Sequence, residues 1–281
     1  MAMSICIDGK IHQLKPAWVM GIINATPDSF YSGSRTPQPD GVALRARRLL
    51  DEGADCLDIG GYSSRPGADD ISAEEEYGRL AMALEQVRNV APDAIISVDT
   101  FRASVARRCI EDWGVQIIND IAGGTLDPEM FATVADLGVA YILMHMRGNP
   151  TTMNSLTDYA DVTSEVISDL SFRIAELRQL GVADIIVDPG FGFAKTVEQN
   201  FTLLRELKHF RMLGAPILAG LSRKSMIWRT LGSTPAESLN GTSVLNTIAL
   251  MNGADILRVH DVAEARQCVA LVEASFPKGS E

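Results

Sequence analysis

One position recurs in this sequence with polar chemistry, the carboxyl end of each short apolar run. Such runs end in Asn24, the stretch Asp58–Gly61, Asp99, Asn119, His145, Asp188, Ser222 and the stretch Arg258–Asp261. Asp99, Asn119 and Asp188 close separate runs and together offer acceptors and an amide donor. That set suits a flat heterocycle carrying several N–H groups and a carbonyl, since each such group buried unpaired costs about 1–3 kcal/mol. Lys224, Arg258 and His260 follow neighbouring runs and supply positive charge suited to phosphate oxygens. Gly60-Gly61 and Gly190-Phe191-Gly192-Phe193 let backbone approach a ligand closely. Phe30, Phe191 and Phe193 beside such a pocket suit a second, aromatic substrate.

The elements that must position these residues alternate in texture. Apolar, β-branched runs span Trp18–Asn24, Cys56–Gly60, Ile95–Asp99, Val115–Asn119, Ala140–His145, Asp184–Asp188, Pro216–Ser222 and Asp255–His260. They are continuously apolar, as strands covered on both faces are. Helical periodicity follows over Gly41–Glu52, from Ser72 (a capping residue with Glu75) to Val90, and over Asp161–Leu180, Val197–Met212 and Ala236–Asn252. Strand then helix, repeated eight times, predicts a parallel sheet closed into a (β/α)₈ TIM barrel. An open doubly wound sheet would carry a glycine fingerprint after its first strand, and Gly21-Ile22-Ile23-Asn24 is not one. Barrels of this type place their active sites at the carboxyl ends of the strands, where the polar residues lie. Asp8-Gly9 marks a turn within Ile5–Leu14, read as a short N-terminal β-hairpin (1–16) closing the barrel bottom. The whole chain, 1–281, reads as one domain.

A formal charge of −11 argues against nucleic acid as a partner, because phosphate contacts need a basic surface. It leaves small anionic substrates open, since a few cations can dominate a local pocket. The four cysteines form no CxxC pair and read as reduced packing residues. The N-terminus lacks the texture of a signal peptide, and no run of about 20 apolar residues is present to span a membrane. A cytoplasmic protein is expected.

Longer motifs carry a family resemblance. Met20-Gly21-Ile22-Ile23-Asn24-Ala25-Thr26-Pro27-Asp28-Ser29-Phe30 resembles the first signature of the dihydropteroate synthases, pterin-binding barrels. Asp58-Ile59-Gly60-Gly61-Tyr62-Ser63-Ser64-Arg65-Pro66-Gly67-Ala68 resembles the second. The stretches at Ser97–Thr100, Ile118–Gly124, Met144–Gly148, Asp188–Phe193, Gly220–Ser225 and Arg258–Asp261 follow in family order.

The resemblance implies an enzyme of folate biosynthesis that joins (7,8-dihydropterin-6-yl)methyl diphosphate to 4-aminobenzoate, releasing pyrophosphate. Carried over, Asp99, Asn119, Asp188 and Lys224 would hold the pterin. Asn24 would ligate Mg²⁺, and Arg258, His260 and Ser64, with Asn24, would bind the diphosphate. Catalysis would fall to Asn24, Lys224, Arg258 and His260. Phe30, Arg65, Pro66, Phe193 and Ser222 would frame the aminobenzoate, whose sulfonamide mimics would compete there. A homodimer is the oligomer the family implies. An arylamine is neutral at pH 7 and attacks a pterin-conjugated methylene cation without a strong base. No nucleophilic triad is therefore expected, and the task is positioning plus leaving-group electrostatics. Ser32 stands where the family commonly has Asp, Tyr62 where Glu is frequent and Ser64 where Thr is frequent. The nearest alternative is a methyltetrahydrofolate–corrinoid methyltransferase, which reads a similar ring but needs no diphosphate clamp.

Overall fold

A computed structural model describes residues 3–25, 41–63 and 70–276. Two short strands, β1 (Ser4–Ile7) and β2 (Lys10–Gln13), pair antiparallel around Asp8 and Gly9, both at positive φ as a tight hairpin turn requires. Eight parallel strands follow: β3 (Trp18–Asn24), β4 (Cys56–Gly60), β5 (Ile96–Asp99), β6 (Ile117–Asp120), β7 (Ala140–Met144), β8 (Ile185–Asp188), β9 (Leu218–Ala219) and β10 (Ile256–Val259). Their order is β8-β7-β6-β5-β4-β3-β10-β9. The ring is completed between β8 and β9 by a single bridge, Val187 to Ile217, with the Val187 N–H donating to the Pro216 carbonyl at 2.8 Å. The barrel expected from the alternating texture is thus present and nearly closed.

Nine helices lie among the described residues: α1 (Gly41–Asp51), α2 (Ala73–Val90), α3 (Ala103–Trp113), α4 (Met130–Leu137), α5 (Val162–Gln179), α6 (Val197–Arg205), α7 (Ser225–Leu231), α8 (Leu239–Met251) and α9 (Val262–Ser275). Ser72 opens α2 by accepting from the Glu75 N–H at 3.1 Å, and Asp161 opens α5 through the Ser164 N–H at 2.7 Å. Gly114 and Gly138, both left-handed, stop α3 and α4.

Two expectations change. The helix read over Val197–Met212 ends at Arg205 and gives way to a tighter 3₁₀ segment over Leu207–Leu213. Leu204, Leu207, Phe210 and Leu213 are all buried, and their three-residue spacing matches the 3₁₀ repeat better than the α repeat. The run Pro216–Ser222 yields a paired strand of only two residues, because at the closing seam β9 bonds continuously to β10 alone.

Side-chain parity explains where the polar residues go. Successive residues of a strand face opposite sides. Val19, Leu57, Val98, Ile118 and Leu257 point outward into the layer shared with the helices. Trp18, Met20, Cys56, Ile117, Ile186 and Ile256 point inward and form a separate apolar plug. Ile5, Ile7 and Leu14 of the hairpin segment join that plug, and the Cys6 N–H donates to Asp184 Oδ1 at 2.7 Å. The hairpin therefore caps the amino-terminal mouth of the barrel, as read from its turn signal. Two residues beyond the plug the inward register becomes polar: Cys56 is followed by Asp58, Ile117 by Asn119, Ile186 by Asp188 and Ile256 by Arg258.

Candidate active site

Asp58 is the hub of this polar layer. It is fully buried and accepts from Ser97 Oγ (2.6 Å), Asn119 Nδ2 (3.1 Å) and Arg258 Nε (2.6 Å). Arg258 also donates to Asp99 Oδ2 at 2.7 Å, so one guanidinium ties β10 to β4 and β5. Burial opposes the charge of Arg258, yet the carboxylates of Asp58 and Asp99 outweigh it and hold its pKa above the ordinary value. Burial lifts the Asp99 carboxyl above the usual carboxylate range, against the pull of Arg258.

Asp188 sits on the opposite side of the same layer. Burial raises its pKa, while the Gly190 N–H, donating to Oδ1 at 2.8 Å, and the cations Lys224 and Arg258 pull it back. Lys224 follows β9 and opens α7. Its ammonium donates to the Phe191 carbonyl at 2.6 Å and lies 4.1 Å from the centre of the Phe193 ring. Burial pushes it down to about 8, with Asp188 opposing. It stays protonated for the most part at neutral pH.

Ser222 Oγ and His260 Nδ1 are 3.0 Å apart, and the His260 N–H donates to the same hydroxyl at 3.2 Å. Arg223, between Ser222 and Lys224, makes a bidentate pair with Asp261 (2.8 and 2.9 Å) that ties the loops after β9 and β10 together. Burial lowers the His260 pKa to about 4, helped by the Arg258 charge. The imidazole is therefore neutral at pH 7, which corrects the reading of His260 as a source of positive charge. Arg258 likewise is engaged by two carboxylates rather than held apart for an anion.

Asn24 ends β3 on the inward parity of Trp18 and Met20, in register with Gly60, which pairs in turn with Asp99. The structure thus gathers Asn24, Asp99, Asn119, Asp188, Ser222, Lys224, Arg258 and His260 at the carboxyl ends of the strands. Phe193 joins them through its contact with Lys224. Phe30, Ser64, Arg65 and Pro66 lie outside the described residues, as does Ser32. Among the described residues no three His, Cys, Asp or Glu side chains cluster as a metal site. A hard cation that keeps most of its waters needs few protein ligands, and the Asn24 amide oxygen is chemically suited to be one.

A family model described as "Pterin binding enzyme" matches residues 20–260. A dihydropteroate synthase of Synechocystis is 43% identical over 263 residues, covering 92% of this chain and 90% of that one. The chain belongs to the dihydropteroate synthase family. A Xanthomonas albilineans dihydropteroate synthase solved with 4-aminobenzoic acid superposes with a TM-score of 0.89 at 36% identity, covering 99% of both chains. The enzyme from the same organism solved with 7,8-dihydropteroate gives 0.86 at 34% identity, covering 98% of this chain and 99% of that one.

In this dihydropteroate synthase family member, two groups of buried polar residues lie beyond those to which the sequence assigns a role. Asp58 and Ser97 share the inward register with Asp99, Asn119 and Asp188, and strand parity is the signal that marks them. Lys195 and His145 form a buried pair behind the Gly190–Phe193 turn. His145 ends an apolar run like the others, but nothing in the spacing links it to Lys195.

Proposed function

We propose that the inward polar layer binds (7,8-dihydropterin-6-yl)methyl diphosphate and 4-aminobenzoate side by side and joins them. The observation that carries this reading is the convergence of Asp99, Asn119, Asp188 and Lys224 at the carboxyl side of the barrel, with Asn119 and Asp188 standing two residues beyond the apolar plug at Ile117 and Ile186. These groups accept from and donate to the edge of the pterin, with the Asp58 hub fixing Asn119 and Arg258. Asn24, Arg258, His260 and Ser64 take the diphosphate. The neutral His260 offers a hydrogen bond there, and bound phosphate would raise its pKa. Ser222, Phe193, Phe30, Arg65 and Pro66 frame the aminobenzoate, where sulfonamides would compete.

The bond between the methylene carbon and the diphosphate oxygen breaks, and its electron pair leaves with pyrophosphate. The resulting cation is conjugated with the dihydropterin ring. The neutral amine supplies the electron pair of the new C–N bond, and the arylammonium then loses its proton to the pyrophosphate. The residues contribute by orienting the amine and by holding cationic donors against the leaving oxygens. Mg²⁺, with Asn24 as its protein ligand, would supply further charge neutralisation at the diphosphate.

One domain, 1–281, performs this chemistry in the cytoplasm. No described helix is long and apolar enough to cross a membrane, and the described cysteines are free. A homodimer through the last helices is also proposed. Val244, Ile248 and Met251 form one exposed apolar face of α8, and Leu271 adds to it from α9.

Asp188→Asn tests the ring-binding assignment. Its amide oxygen still accepts from the Gly190 N–H, so the thermal melt should stay near that of the parent, while calorimetric titration with the pterin diphosphate shows no binding. Retained binding, or a large loss of stability, would remove Asp188 from the recognition role.

A further inference from the structure

The turn after β8 is held in an improbable shape. Gly190, Gly192 and Ala194 all have positive φ (72°, 79° and 51°), an alternation that a chain does not keep unaided. Ala194 is unusual there, since its Cβ disfavours that region. A Cβ at Gly190 would collide with the His145 carbonyl oxygen, so the turn also lies tightly against the end of β7.

Lys195 stands immediately behind this turn and is buried. Its Nζ lies 3.0 Å from His145 Nδ1 and donates to the carbonyls of Gly190 (3.1 Å) and Phe193 (3.0 Å). An ammonium has three N–H groups, and here each has an acceptor. His145 is held by burial, and by the adjacent Lys195 charge, down to about 2, so its imidazole is a neutral partner. Burial also pushes Lys195 down to about 7, with Asp188 opposing, so these bonds must offset a desolvation cost. The two carbonyls that Lys195 binds bracket the turn, and the second belongs to Phe193.

We propose that Lys195 is a positioning residue that fixes the Phe193 ring, and through it the side of the site that receives the aryl acid. The proposal rests on the reading that Phe193 borders the aminobenzoate. Lys195 acts from behind the turn and touches neither substrate. Lys224 keeps an independent hold on the turn, through the Phe191 carbonyl at 2.6 Å, so the pterin side depends less on Lys195.

Steady-state kinetics on the full chain test this, with Lys195→Met, Phe193→Ala and the double variant. Lys195→Met keeps the length of the chain and removes all three donors. It should raise KM for 4-aminobenzoate about tenfold and shift KM for the pterin diphosphate less than about twofold. If Lys195 acts through Phe193, the double variant should resemble Phe193→Ala rather than the product of both effects. Lys195→Gln, which retains an amide donor, should recover part of the loss, and it replaces Lys195→Met in the cycle if that variant does not fold. Equal rises in both KM values, multiplicative effects in the double variant, or failure of both substitutions to fold would overturn the proposal. If Phe193→Ala itself leaves KM for 4-aminobenzoate unchanged, the assignment of Phe193 fails instead.

Discussion

Asp58→Asn probes the hub of the polar layer with almost no change of shape. The carboxylate accepts from Ser97 on Oδ1 and from Asn119 and Arg258 on Oδ2. An asparagine can turn its oxygen toward Asn119 and Arg258 and its amide toward the Ser97 hydroxyl, which is able to accept. The hydrogen bonds survive and the charge does not. Removing one partner of a buried ion pair costs about 3–5 kcal/mol. Arg258 keeps its 2.7 Å bond to Asp99, which places the expected loss at the low end. At about 3 kcal/mol, and about 2–4 °C per kcal/mol for a domain of this size, the melting midpoint should fall by about 6–12 °C. Calorimetry or urea denaturation reads the change, and kcat/KM for the pterin diphosphate should fall with it as Arg258 swings toward Asp99. A midpoint within about 2 °C of the parent would mean that the Arg258 charge does not depend on Asp58.

Two pH dependences follow from the buried cations and imidazoles. Lys224 loses its proton at about 8, so kcat/KM for the pterin diphosphate should decline as pH rises through that value. Lys224→Arg, which stays charged, should abolish that basic limb whatever its absolute rate, and a limb that persists unchanged would assign it to another group. His145 titrates at about 2 in the fold against 6.5 ordinarily, so between these values the unfolded chain binds a proton that the native state refuses. Stability is then complete above 6.5 and falls on acidification, by about 2 kcal/mol at pH 5 from this group alone. Urea titrations at several pH values should show a shallower acid loss for His145→Gln than for the parent, and parallel curves would mean that His145 is protonated in the fold.

Much of this site is legible before folding because the barrel repeats one grammar. A run such as Ile185–Asp188 announces a strand by its β-branched residues and its functional end by the first polar side chain on the inward parity. The same holds for Asn119 and Arg258, whereas on β5 Ser97 precedes Asp99 on that parity. Asp58 satisfies that grammar too, but its partners lie 39, 61 and 200 residues away, and only strand register shows that they converge. The neutrality of His260 was illegible for a related reason. A histidine two residues after an arginine in sequence says nothing of burial, and burial is what lowers its pKa first. Lys195 is hidden further still, since its role depends on a turn whose positive φ values no composition rule assigns to Ala194. The helix expected over Val197–Met212 failed on periodicity, where spacings of three and four are hard to separate until Leu207, Phe210 and Leu213 are seen buried together.

If this layer of strand ends joins a pterin diphosphate to an aromatic amine, the purified protein must form both products of that reaction. The most direct measurement mixes purified protein with (7,8-dihydropterin-6-yl)methyl diphosphate, 4-aminobenzoate and Mg²⁺, and follows pyrophosphate and dihydropteroate together. Both products should appear in equal amounts, each requiring both substrates. Absence of pyrophosphate above background with both substrates saturating, or its release without formation of the C–N bond, would assign the layer a different reaction.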